Sequence, residues 1–196
     1  MMLSIRLKAR FWLIILTKLK SKNMDLPKRK PTRLKGYDYS QNGAYFVTIC
    51  THNRKCLFSN IVGAIHESPE NQLTQYGEFV KQIIEILSGR FNVVIPKYVI
   101  MPNHLHLIIE IDNDNEKRAI RESPLQYNRS VIDKLVGFLK MNVSKKMHSI
   151  YRDKIWQRSY HDHIIRGEKD YREIWEYIDT NVQRWEKDCF YNVERS

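Results

Sequence analysis

Three cysteines in 196 residues, Cys50, Cys56 and Cys189, form neither an even set nor a metal-like spacing. That excludes a disulfide scaffold and fits a reducing compartment, as in the cytoplasm. Long hydrophobic runs are missing as well. The longest near the N-terminus, Phe11 to Leu16, has six residues, against the roughly 20 that a membrane span needs. The same run is short for the apolar stretch of a secretory signal, although Arg6, Lys8 and Arg10 precede it, and no small-x-small cleavage site follows. Neither a membrane span nor a secretory signal is expected. There is no internal repeat and no low-complexity segment. Acidic residues are nearly absent from the first 36 positions, which hold 11 Lys or Arg and only Asp25.

What is present suits one folded domain with a tail. The chain is 42% apolar and 28% charged, enough to bury a core. Its net charge is +11, of which residues 1–36 carry +10 and the other 160 residues +1. The sequence therefore divides into a basic arm and linker, 1–36, and a domain, 37–196. Such arms meet nucleic acid or another anionic surface through phosphate contacts, with Arg29, Lys30 and Arg33 as the candidates. A solvated tail is the alternative. Residues 1–23 have weak helical periodicity, and 24–36, with Pro27 and Pro31, read as an extended linker.

Hydrophobic patterning predicts a strand at Ala44 to Thr51 and a loop from Lys55 to Glu70. A helix carrying Leu73, Tyr76, Val80, Ile83, Ile84 and Leu87 follows, with Gly89 as its stop. Strands at Val93 to Met101, interrupted by Pro96, and at His104 to Ile111 flank a Pro102-Asn103 turn. Asn113 to Asn128 is loop. Ser130 caps a second helix through Val131, Leu135, Phe138 and Leu139. A last strand, Trp156 to Ile165, leads to a helix from Asp170 to about Asp188 with Tyr171, Trp175, Ile178, Val182 and Trp185 on one stripe. The first six elements, β-α-β-β-α-β, match the split βαβ pattern. The fold class predicted is α+β: a ferredoxin-like, RRM-like, four-stranded antiparallel sheet with two helices on one face, plus the C-terminal helix.

On the strand at 104–111, His104, His106, Ile108 and Glu110 share one face, and Leu105, Leu107, Ile109 and Ile111 form the apolar one. Two imidazoles so spaced can converge on one divalent ion, although an HxH pair alone also arises by chance. A hard cation such as Mg²⁺ or Mn²⁺ wants oxygen ligands too. Asn181 stands four residues after Tyr177, about 40° round the helix and one turn along. A tyrosine beside such an ion suits phenolate attack on a phosphodiester, giving a phosphotyrosyl link. Tyr177 also reads as an ordinary residue at a helix edge, in a chain with 11 tyrosines. His161-Asp162-His163 is a second HxH: a rival metal pair, a supporting group, or a surface pair contacting phosphate. Arg54, Lys55, Arg158 and Arg166 flank the first and last strands. With Tyr37, Tyr39 and Tyr45 they form the cation and aromatic mixture that single strands bind, or a solvated face over core-facing rings.

These residues resemble the REP-associated tyrosine transposases, of the HUH class of single-strand DNA transposases. The likeness is carried by Tyr37-Asp38-Tyr39-Ser40, Gly43 and Tyr45-Phe46-Val47-Thr48; by Met101-Pro102-Asn103-His104-Leu105-His106; by Asp162-His163 with Ile165-Arg166; and by Asp170-Tyr171-Arg172 leading into Tyr177-Ile178, Asn181 and Trp185. They run in the family's order over about residues 33–190. The resemblance implies that His104 and His106 are the metal pair, Asn181 the third ligand and Tyr177 the nucleophile. It implies Mg²⁺ or Mn²⁺ as cofactor, cleavage of single-stranded DNA to a 5′-phosphotyrosine and a free 3′-OH, and imperfect DNA hairpins as partners. A bacterial, nucleoid-associated protein acting as monomer or homodimer is implied too. Two departures stand out: Val182 follows Asn181 where the family usually has proline, and the segment before Met24 matches nothing in the family. Two other readings remain beside it. One is an RRM-like module that binds single strands without chemistry. The other is a zinc hydrolase using the histidines with an acid such as Glu110.

Overall fold

The computed structural model describes residues 37–63, 69–112 and 129–191, all within one compact unit, 33–196. The basic arm, including Arg29, Lys30 and Arg33, lies outside the described residues, as does the whole loop expected at 113–128.

A four-stranded antiparallel sheet is built from β1 (Gly43–Cys50), β4 (Val93–Ile100), β5 (His104–Ile111) and β6 (His161–Ile165), in the order β4-β5-β1-β6. β1 pairs with β5 from Gly43↔Ile111 to Cys50↔His104 and with β6 on its other side. The order and the antiparallel neighbours are those of the predicted split βαβ arrangement. Tyr45, Val47 and Ile49 of β1 and Leu105, Leu107 and Ile109 of β5 are buried on one sheet face. Each contributes roughly 1.5–3 kcal/mol by leaving water.

Helices α1 (Gln75–Phe91) and α2 (Val131–Met147) supply the rest of that core, with Val80, Ile84 and Leu87 from α1 and Ile132, Leu135, Leu139 and Val143 from α2. Their starts are set by side-chain caps: Thr74 Oγ1 accepts from Gly77 N at 3.2 Å, and Ser130 Oγ from Asp133 N at 3.2 Å. Gly77 has a second reason to be glycine. A Cβ there would run into the Phe58 backbone carbonyl oxygen, the group that accepts from Thr74 N at 2.9 Å. The third helix, α3 (Gly167–Thr180), follows β6 and buries Ile178. It lies on the opposite sheet face, where Tyr171 Oη donates to Glu110 Oε1 at 2.9 Å.

Four details differ from the sequence-based expectation. The stretch read as loop holds β2 (Ser59–Val62) and β3 (Glu70–Leu73), a small separate antiparallel sheet. α1 runs past Gly89 to Phe91, because Asn92 takes the left-handed cap (φ 50°), which asparagine tolerates best among non-glycine residues. The last strand is short. Trp156 makes only an isolated bridge to Thr51, and Ser159 (φ 77°) breaks the extension before His161. α3 ends at Thr180 instead of running to Asp188. The chain then turns and makes a 3-10 turn, Trp185–Lys187, that packs Trp185 inward. Pro96 falls inside the register shift between Val94 and Lys97 of the edge strand β4, where its missing N–H is tolerated.

Candidate functional site

Strand alternation puts His104 and His106 on the face away from the two-helix core, and both are fully buried there. Their ring centroids are 4.6 Å apart. Each ring is held by its Nδ1. That of His106 lies 2.8 Å from Thr48 Oγ1, its cross-strand partner on β1, and that of His104 lies 2.9 Å from Asn103 Oδ1. The outer nitrogens are left for other work. His104 Nε2 is buried with no hydrogen-bond partner, and His106 Nε2 lies 3.3 Å from the Tyr177 hydroxyl. Burial, with Arg54 adding repulsion, pushes His104 down to about 3. Burial, with His104 beside it, holds His106 well below the ordinary 6.5, although the Asp188 charge pulls the other way. Both imidazoles are therefore neutral at physiological pH, the state in which they ligate metals.

α3 brings Tyr177 over His106 (ring centroids 5.2 Å), with Phe46 stacked on the same imidazole at 5.0 Å. Burial, then the Asp188 charge, pushes the phenol up to about 12, while a hydrogen bond from Asn181 works the other way. Asn181 follows the end of α3 and is buried, its Oδ1 without a partner and its Nδ2 3.4 Å from Asp188 Oδ2. Asp188 Oδ2 is also 3.4 Å from the Tyr177 hydroxyl. The donor atoms of His104, His106 and Asp188 all lie within 4.8 Å of one another, near enough to share one ion. Two orphaned buried acceptors and two neutral imidazoles are a poor arrangement for an empty core and a good one for a divalent cation.

Thus His104, His106, Tyr177 and Asn181, separated by up to 77 positions, come together. Asp188 was not foreseen, and no local spacing points to it, because the helix ends at Thr180 and a turn carries the chain to it. Arg54 stands at the rim, its guanidinium 5.2 Å from the Phe190 ring and bonded to the Cys189 carbonyl at 2.7 Å. Arg158 and Arg166 are exposed before and after β6, outside the cluster. The second histidine pair does not form a metal-type group among the described residues. His163 is exposed and meets the Asp170 carboxylate at 2.8 Å. Glu110, the acid of the hydrolase reading, is engaged by Tyr171. Tyr39 and Tyr45 are core residues, so their rings are not a stacking platform for bases. The sheet face that an RRM-like module would leave open is covered by α3 and the segment after it.

No protein-family model matches the chain. A Haemophilus influenzae protein of uncharacterised activity is 37% identical over 180 residues, 86% of this chain and 96% of that one. A second protein of the same organism, provisionally named a REP-associated tyrosine transposase, is 25% identical over 147 residues, 74% of this chain and 72% of its own length. Among solved structures, a REP-associated tyrosine transposase bound to a REP hairpin superposes with a TM-score of 0.53 at 18% identity, covering 78% of this chain and 73% of that one. The two share a fold.

Proposed function

We propose that this chain, which belongs to one family with its better-matched Haemophilus influenzae relative and has the fold of a REP-associated tyrosine transposase, is a metal-dependent single-stranded DNA transposase. It would cleave and rejoin hairpin-bearing strands through a 5′-phosphotyrosine. The observation that carries this reading is the Tyr177 hydroxyl 3.3 Å from His106 Nε2, beside a buried, unpartnered His104 Nε2.

His104, His106 and Asn181 Oδ1 are the groups that would hold Mg²⁺ or Mn²⁺. Bound there, the ion would offset charge on the scissile phosphate. The chain's own residues do the rest. Tyr177 Oη forms the new bond to phosphorus, and its proton passes to Asp188 Oδ2, the carboxylate within 3.4 Å. The bond from phosphorus to the 3′ oxygen breaks, and that oxygen leaves as a free 3′-OH after taking a proton from water. Rejoining reverses the step: a 3′-OH attacks the phosphotyrosine, and Tyr177 leaves and recovers its proton. Phe46, stacked on His106 and edge-on to Tyr177 at 6.0 Å, limits how the two rings can shift. Arg54, Arg158, Arg166 and the basic arm, with Arg29, Lys30 and Arg33, would follow the phosphate backbone.

The test is a denaturing gel with labelled single-stranded hairpin DNA and Mn²⁺. Wild-type protein should give a covalently shifted band. Tyr177→Phe should lose the band and keep hairpin binding within about threefold, since one hydroxyl contributes little to phosphate contacts. An adduct formed by Tyr177→Phe would refute the assignment. Cleavage without any shift would favour water as the nucleophile.

A further inference from the structure

Asn103, in the turn between β4 and β5, is completely buried and uses both ends of its amide. Oδ1 lies 2.9 Å from His104 Nδ1. Nδ2 donates to the carbonyl oxygens of Arg54, at 3.2 Å, and Phe190, at 2.8 Å. A flipped amide would set its oxygen against two carbonyl oxygens, so the orientation is fixed by its partners. The backbone of the same residue is anchored too, its carbonyl accepting from Thr51 N at 2.9 Å and Thr51 Oγ1 at 3.0 Å. An amide oxygen can only accept, so His104 Nδ1 must carry the ring proton. That leaves Nε2 as a bare lone pair, the buried atom without a partner. The other end of the same amide holds the terminal segment in place. There Phe190 packs on His104 (centroids 4.7 Å) and Trp185 lies 6.0 Å from it.

We propose that Asn103 is a positioning residue with two linked tasks: it fixes the tautomer in which His104 can ligate through Nε2, and it couples loading of that imidazole to the seating of residues 185–190. A cation on Nε2 polarises the Nδ1–H, strengthens its bond to Oδ1 and so makes Nδ2 a better donor to the Phe190 carbonyl. The coupling rests on the metal reading of the histidine pair, whereas the tautomer does not.

The test uses the full chain, with Mn²⁺ as probe, and two variants. Asn103→Ala removes both ends of the amide. Asn103→Asp keeps the acceptor for His104 and removes the donors. Three readouts apply: the His104 tautomer by nitrogen-15 NMR of the metal-free protein at neutral pH, Mn²⁺ affinity by calorimetry, and hydrogen exchange over 185–191. Asn103→Ala should lose the Nδ1–H tautomer, bind Mn²⁺ roughly 10–100-fold more weakly, and exchange faster over the segment. Asn103→Asp should keep the tautomer and bind Mn²⁺ at least as well as wild type, as acid-backed histidines do, yet exchange about tenfold faster over 185–191, as loss of roughly 1.4 kcal/mol of hydrogen bonding requires. Mn²⁺ should slow that exchange in wild type and not in Asn103→Asp. An unchanged tautomer in Asn103→Ala, weakened Mn²⁺ binding in Asn103→Asp, or unchanged exchange in Asn103→Asp would each overturn the proposal. If Asn103→Ala does not fold, Asn103→Asp decides alone. If wild type binds no Mn²⁺, the metal reading and the coupling both fail, while an Nδ1–H tautomer with faster exchange in Asn103→Asp would still uphold the positioning role.

Discussion

The phenol of Tyr177, held at about 12 by burial and by Asp188, is a poor nucleophile until its proton has somewhere to go. Under the proposed mechanism, Asp188 is both the obstacle and the acceptor. Asp188→Asn should lower the Tyr177 pKa in a spectrophotometric titration, because a negative neighbour disfavours the phenolate. The same variant should slow adduct formation by about 100-fold, the usual scale for a lost proton acceptor. Its Mn²⁺ affinity should stay within about threefold, since the carboxylate is assigned to proton transfer and not to ligation; weaker binding would move Asp188 into the ligand set. The His104 shift also makes a prediction about stability. The unfolded chain takes up a proton below about 6.5, whereas the folded one resists until about 3, so the unfolded state binds more protons between these values. Stability of the metal-free protein is full above about pH 6.5 and declines as pH falls towards 3, by a few kcal/mol at most. Thermal melts across that range should show the decline, and His104→Gln should reduce it, His106 supplying the rest. The candidate residues were legible where local spacing alone decides: His104 and His106 by strand alternation, Tyr177 and Asn181 by helical turn. Asp188 was not, because its place depends on a turn that leaves the helix.

Among the elements, the Ser130 cap and the alternating strands follow from local chemistry and could be read ahead of the structure. β2 and β3 could not. They are four residues each, Ser-Asn-Ile-Val and Glu-Asn-Gln-Leu, too short and polar for periodicity to separate strand from loop. The end of α3 was hidden for a different reason. Nothing in Asn181-Val182-Gln183-Arg184 forbids a helix, and the turn is set by Trp185 and Phe190 finding the imidazole rings, a tertiary effect that overrides propensity. Gly77 shows how tightly an element end can be specified. Gly77→Ala should destabilise the protein by about 1–3 kcal/mol, the scale of forced overpacking, despite alanine's higher helix propensity. Urea denaturation monitored by circular dichroism would measure this, and a neutral or stabilising result would mean that the Phe58 strand end yields easily.

For the whole molecule, the net charge is concentrated at one end of the sequence. Residues 1–36 carry +10 and the remainder +1, and no helix among the described residues is long and apolar enough to cross a membrane. Under the proposed function, hairpin affinity should fall steeply with salt, and a chain beginning at Tyr37 should show a visibly shallower slope of log affinity against log salt because fewer counterions are released. Equal slopes would leave the arm without a role in DNA contact. The antiparallel sheet order has a consequence in time as well as in space. His104 and His106 lie on β5, the third strand of the main sheet in sequence, whereas the Tyr177 hydroxyl comes 71 residues after His106, on the helix that follows the edge strand β6. A growing polypeptide thus acquires its two imidazoles well before Tyr177. Under the proposed function, a chain cut short before residue 177 should form no covalent adduct with DNA.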